Sequence, residues 1–238
     1  MLRTAMHGRS MRTASTTALA LCAVGVLGVG PAAAHDDHGR SGDRDKVVTK
    51  QADLAALNGS GASGKATVVV RGDEILRVRV RAEGLTPDAP HAQHIHYGQQ
   101  ALNECPGVAQ DLDADGRLTT VEGIPAYGPV AVSLTTTGDT SPASVLAVPR
   151  YPFAEKGRIN YRRTHVPFSD VAGAGAGGGT ASAAQVADAV RRGEGVVVVH
   201  GVDYDGDGTY SFSRGGASEL DPSLPAEATD PAICGLLR

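Results

Sequence analysis

Short apolar segments, alternating in polarity and separated by turn residues, recur along this chain and limit the folds open to it. Ala66-Thr67-Val68-Val69-Val70 precedes Gly72-Asp73, and after the turn Leu76, Val78, Val80 and Ala82 alternate with Arg77, Arg79 and Arg81. A period of two sends one set to a buried face and the other to water, which describes a hairpin within a half-buried antiparallel sheet. Arg71-Gly72-Asp73 also spells a cell-adhesion tripeptide, but a turn between strands accounts for it. Further strand candidates are 93–97, 130–134, 158–164 and 196–200, with Gly- and Pro-rich loops between them. Aromatic residues make up 4% of the chain and Trp is absent, so Val, Ala, Leu and Ile must build the core. The expected fold class is all-β, a β-sandwich with long loops. One short helix is expected: Ser182 and Gln185 form a capping box, Val186, Ala189 and Val190 supply the apolar stripe, and Gly193 ends it. The Gly/Ala run 172–179 before it is expected to be a mobile loop.

Both ends of the 238-residue chain carry information about its compartment. Residues 1–34 hold Arg3, Arg9 and Arg12, an apolar stretch over 18–30 and Pro31-Ala32-Ala33-Ala34, the pattern of a signal peptide cleaved near Ala34. The apolar stretch is shorter than the roughly 20 residues of a membrane span, and no later stretch is longer. A secreted or envelope-associated protein is expected, with no membrane span. The expected organisation is a signal peptide at 1–34, a flexible polar leader at 35–50 and one domain over 51–238. Without 1–34 the chain keeps 19 basic against 26 acidic residues, and no basic run survives. That balance and the few aromatics argue against nucleic acid and other polyanions as partners. Cys105 and Cys234 are then the only cysteines. In an exported chain such a pair reads as one disulfide, with two buried thiols as the alternative.

Four histidines are unusually placed. His94-Ile95-His96 falls on a strand candidate, so both imidazoles project from one face, and His200 closes the run Val196-Val197-Val198-Val199. If His200 meets the pair across the sandwich, three imidazoles form a set that suits copper or zinc. The alternative is histidines that are exposed or held by ordinary hydrogen bonds.

His91-Ala92-Gln93-His94-Ile95-His96 resembles the His-x-x-His-x-His copper strand of copper/zinc superoxide dismutases. Cys105, then Val198-Val199-His200-Gly201, then Ile233-Cys234-Gly235 resemble that family's later landmarks in order. With Gly59 to Gly64 as an entry, the same elements resemble the CHRD (chordin-type) domain of exported bacterial proteins. The resemblance spans about 54–238. It implies an immunoglobulin-like, dismutase-like Greek-key sandwich, with His94, His96 and His200 as metal ligands and His91 orienting one of them without touching the metal. The departures bear on activity. No His lies between His96 and His165, so the dismutase zinc site is missing. Asp230-Pro231-Ala232-Ile233 stands where the enzymes carry a guiding Arg, and Asp203, Asp205 and Asp207 would repel superoxide. A non-catalytic metal-binding module is expected. The alternatives are a copper-only dismutase and a calcium-stabilised extracellular interaction domain with structural histidines. His165 is a weaker candidate for a fourth ligand.

Two Asp-rich loops carry the other signal. Residues 111–122 match the twelve-position calcium loop, with Asp111, Asp113 and Asp115, then Gly116, the Arg117 carbonyl and Glu122. Calcium needs six to eight hard oxygens, which alternate carboxylates on a tight turn supply. Pro106, Gly123 and Pro125 argue against the usual flanking helices. A second loop with Asp203, Asp205, Asp207 and Thr209 repeats the first half but has Arg214 at the twelfth position, leaving Glu219 or water to complete a site. No Gly-x-Ser-x-Gly, phosphate loop or His-Glu-x-x-His occurs.

Overall fold

The computed structural model describes residues 44–238. The expected signal peptide at 1–34 and positions 35–43 of the expected leader, with His35 and His38, lie outside the described residues. The structure is all-β: β1 (Val48–Ala56), β2 (Ser63–Arg71), β3 (Glu74–Glu83), β4 (Gln93–His96), β5 (Val130–Ser133), β6 (Ile159–Pro167), β7 (Val196–His200) and β8 (Pro231–Leu236). They form one antiparallel sheet in the order β5-β4-β7-β8-β1-β2-β3-β6. The two layers expected of a sandwich are thus two halves of one curled sheet that share β1. Its first seven residues pair with β2, and Ala55 and Ala56 pair with Cys234 and Ile233 of β8. The crossing is tight: a Cβ on Gly235 would lie 2.2 Å from the Asp53 carbonyl oxygen, so only Gly fits there. The β3-to-β4 and β6-to-β7 connections pass between the halves and leave β3 beside β6 and β4 beside β7, a Greek-key crossing.

Leu54, Val68, Val78 and Val80 from one half meet Ile95, Val197, Val199 and Ile233 from the other in a single buried cluster. Val196 and Val198 face the other way, into a smaller cluster with Tyr127 and Cys234. β7 is therefore buried on both faces, which explains its unbroken apolar run. That second cover also determines the position of His200.

β1 starts at Val48, so the end of the expected flexible leader is paired strand. In β3 the buried residue is Ile75, with Leu76 only half-buried, because a bulge between Val69 and Val70 pairs Val70 with Ile75 and Val69 with Arg77. The Gly/Ala run is a closed turn: Val171 and Ala181 exchange backbone bonds of 2.8 and 2.9 Å, and Ala174 is fully buried.

There are three helices among the described residues: α1 (Thr120–Tyr127), α2 (Ala183–Arg192) and α3 (Ala226–Thr229). Only α2 has the expected form, capped by Ser182 and Gln185 and ended by Gly193 at φ +93°. α1 forms despite Gly123 and Pro125 because Thr119 and Glu122 make a capping box at its start. Its Gly123 is required, since a Cβ would meet the Tyr127 ring at 2.4 Å.

Candidate functional site

β4 and β7 are neighbours in one half of the sheet, with His94 opposite Val198 and His96 opposite Val196. The His200 N–H donates to the Ala92 carbonyl at 2.7 Å, which extends the pairing by one residue. The three histidines therefore meet side by side on the outer face of one half. They do not meet across the sandwich, because β7 returns beside β4 in the same half. Ring centroids lie 5.6 Å apart for His94 and His96, 5.2 Å for His94 and His200, and 6.2 Å for His96 and His200. All three are at most 2% exposed, and one nitrogen from each lies within 4.8 Å of the others.

Hydrogen bonds decide which nitrogen is free. His96 Nδ1 donates to the Gly128 carbonyl at 2.9 Å, and His200 Nδ1 donates to the Thr229 carbonyl at 2.7 Å. A carbonyl can only accept, so each Nδ1 carries the proton and each Nε2 holds a lone pair. The Tyr151 hydroxyl donates to the Ser144 carbonyl at 2.8 Å and accepts from His94 Nε2 at 2.7 Å, which leaves the His94 lone pair on Nδ1. His94 Nδ1, His96 Nε2 and His200 Nε2 are buried with no partner. A buried unpaired acceptor costs about 1–3 kcal/mol, and three that converge form the donor set of a soft-to-borderline transition metal. Burial also keeps the rings neutral. It lowers His96 to about 3 and His200 to about 4, and it drives His94 well below the ordinary histidine range, helped by His200 and His96.

A cover lies over the trio. Tyr127 of α1 packs on His96 with ring centroids 4.4 Å apart. Val145, Leu146 and Leu220 line a cavity of about 20 Å³ that adjoins all three imidazoles. That volume holds one ion or one water.

His91 is fully buried and does not face the trio. Its Nδ1 lies 2.8 Å from the His200 carbonyl and its Nε2 3.0 Å from the Thr86 carbonyl, with the Tyr210 hydroxyl 3.1 Å from each nitrogen. It braces the backbone of His200. His165 is an exposed β6 residue paired with Glu74 at 2.9 Å, remote from a fourth-ligand position.

The first Asp loop gathers Asp111, Asp113 and Glu122, whose carboxylate oxygens lie within 4.8 Å of one another. Asp111 Oδ2 accepts from Gly116 at 3.0 Å, and its Oδ1 is buried without a partner. Hard oxygens with one orphaned carboxylate atom fit calcium. Asp115 is outside this group, turned toward Arg117 at 3.5 Å, and the Arg117 guanidinium continues to Asp230 at 2.8 Å. Glu122 also accepts from Leu112 and Thr119, each at 3.0 Å, so it closes the loop and caps α1 together. The expectation of no flanking helix fails on the exit side, where α1 follows directly, while a 3-10 turn at Val108–Gln110 takes the entry side.

The second loop gathers Asp203 and Asp205 with Glu227, a residue that the sequence did not single out. Glu227 lies on α3 and is fully buried, accepting from Ser211 at 2.6 Å and from Tyr204 at 3.4 Å. No motif spacing links it to Asp203, since only the fold brings α3 back to the loop. Asp207 and Thr209 bond to each other at 2.8 Å instead of joining the group, and Glu219 is not part of it.

Cys105 and Cys234 form a disulfide with Cα atoms 5.7 Å apart. No helix among the described residues is long and apolar enough to cross a membrane. Comparison with protein-family models and with curated proteins gives no match.

Proposed function

We propose that this chain is an exported metal-binding β-sandwich module that holds one copper or zinc ion on His94, His96 and His200 without turning over a substrate. The observation that carries this reading is the convergence of three buried, unpartnered imidazole nitrogens whose opposite nitrogens are all committed to fixed hydrogen bonds. Tyr151, Gly128 and Thr229 fix the tautomer and aim each ring, which is how outer-sphere groups tune a metal site. A copper ion held there would supply one-electron chemistry, and a zinc ion Lewis acidity. The cavity accepts one ion and little else, which favours holding over turnover. The CHRD-type resemblance points the same way. Calcium at the loop of Asp111, Asp113 and Glu122 adds stability to this module.

Metal analysis of protein purified from an exporting host tests the proposal: one copper or zinc per chain is expected, and protein free of both after supply of each metal contradicts it.

A copper-only dismutase is the second reading. The dismutase-like order of landmarks, from His94-Ile95-His96 through His200 to Cys234, favours it. Superoxide consumption by copper-loaded protein near the diffusional ceiling of about 10⁹ M⁻¹s⁻¹ would select it. A rate no faster than that of His96→Ala selects the holding role.

A further inference from the structure

The half of the sheet away from the histidines presents a cationic outer face. β3 places Arg77, Arg79 and Arg81 at alternate positions, and β6 sets Arg162 directly opposite Arg79. Alternate residues of a strand stand about 7 Å apart and neighbouring strands about 5 Å apart, so the four guanidinium stems leave one small patch. Like charges directly opposite one another destabilise a sheet. The nearby acids do not offset them. Asp53 pairs with Lys65 at 2.8 Å, Glu74 pairs with His165 at 2.9 Å, and Glu83 lies at the end of β3 opposite Ser63. None of the four arginine side chains makes a hydrogen bond or ion pair among the described residues, and Arg79 Nε is buried without a partner. Nothing in the fold requires this arrangement, because water-facing positions of β3 accept any polar residue.

We propose that this face docks a linear carboxylated polysaccharide along β3. The guanidinium fork matches a carboxylate bidentately, and a row of forks on an extended strand matches charges spaced along an extended chain. The only aromatic residue in these strands, Tyr161, is buried on the inner side, so no platform for stacked bases is present. The exposed large apolar residues lie outside these strands, which removes the means of inserting into a bilayer. The charge balance of the whole chain argues against a polyanion partner. Strand alternation overrides that average locally by gathering residues that no basic run reveals.

The test measures binding of alginate, a polyuronate, in EDTA so that neither calcium nor copper contributes, at low and at physiological salt. Wild type is expected to bind and to weaken as salt rises. Arg79→Ala/Arg162→Ala is expected to bind about tenfold more weakly or worse, with a melting temperature no lower than that of wild type, since it removes a like-charge pair. Arg192→Ala, whose side chain pairs with Glu194 at 2.7 Å, serves as the control and is expected to bind as wild type does. Duplex DNA and anionic phospholipid vesicles serve as competing ligands. The proposal is overturned if wild type fails to bind alginate, if the double variant binds as tightly, or if DNA or vesicles bind as well as alginate.

Discussion

Removing the Cys105–Cys234 disulfide opens a loop spanning 129 residues of sequence. The chain-entropy model assigns a loop of that length about 5 kcal/mol at 25 °C. In a domain of this size each kcal/mol moves the melting temperature by about 2–4 °C, so Cys105→Ser/Cys234→Ser should melt roughly 10–20 °C lower. The loss extends to the histidines. Leu102 and Glu104 donate to the Pro125 and Ala126 carbonyls at 3.1 and 3.2 Å, so the disulfide ties this segment and α1 to β8. Gly128 caps the end of α1, and its carbonyl holds His96. The double variant should therefore also bind copper or zinc more weakly. Scanning calorimetry of wild type and variant in EDTA, then metal titration of both at 20 °C, measures the two effects. A melting temperature within about 3 °C of wild type would refute the entropic reasoning. A large drop with unchanged metal affinity would refute the link to α1.

Three other outcomes are expected. Calcium added to chelated protein should raise the melting temperature, with about 2.7 kcal/mol of stabilisation at a hundredfold excess over Kd, and Glu122→Gln should abolish the shift; an equal shift in the variant removes the site. Tyr151→Phe deletes the acceptor of His94 Nε2 and should weaken copper or zinc binding about 10–100-fold, an effect that Tyr97→Phe should not reproduce. In metal-free protein, His96 and His200 stay neutral down to about 3 and about 4, while the unfolded chain takes up their protons below its ordinary value of about 6.5. Stability is therefore full above about pH 6.5 and falls with pH by about 1.4 kcal/mol per unit for each histidine; a urea midpoint unchanged from pH 7 to pH 5 contradicts this.

Much of the fold was legible because period-two alternation is a local signal. The β2–β3 hairpin and the β4, β5, β6 and β7 segments are where apolar runs stand between turn residues. β8 was visible only as a landmark of a resemblance. Alternation puts Leu76 on the buried face, but a bulge changes the phase of a strand without leaving a mark in composition. α1 has no clear mark in the sequence, because Gly123 and Pro125 argue against a helix and the capping pair Thr119 and Glu122 also belongs to the calcium-type loop. At the candidate site, His94 and His96 were legible as cofacial from a spacing of two. His200 was not, since whether it joins them across the core or along a sheet depends on which strand lies beside β4. Glu227 was beyond reach for the same reason, since a 24-residue separation closed by tertiary structure carries no periodic signal.

Zinc calorimetry on chelator-stripped wild type and His96→Ala tests whether the three imidazoles hold an ion. One ion per wild-type chain is expected, and in the variant, which loses Nε2 from the set, an affinity at least about tenfold lower with the Asp loops unaffected. Superimposable titration curves would contradict it, because His94, His96 and His200 would then be buried neighbours that hold no ion.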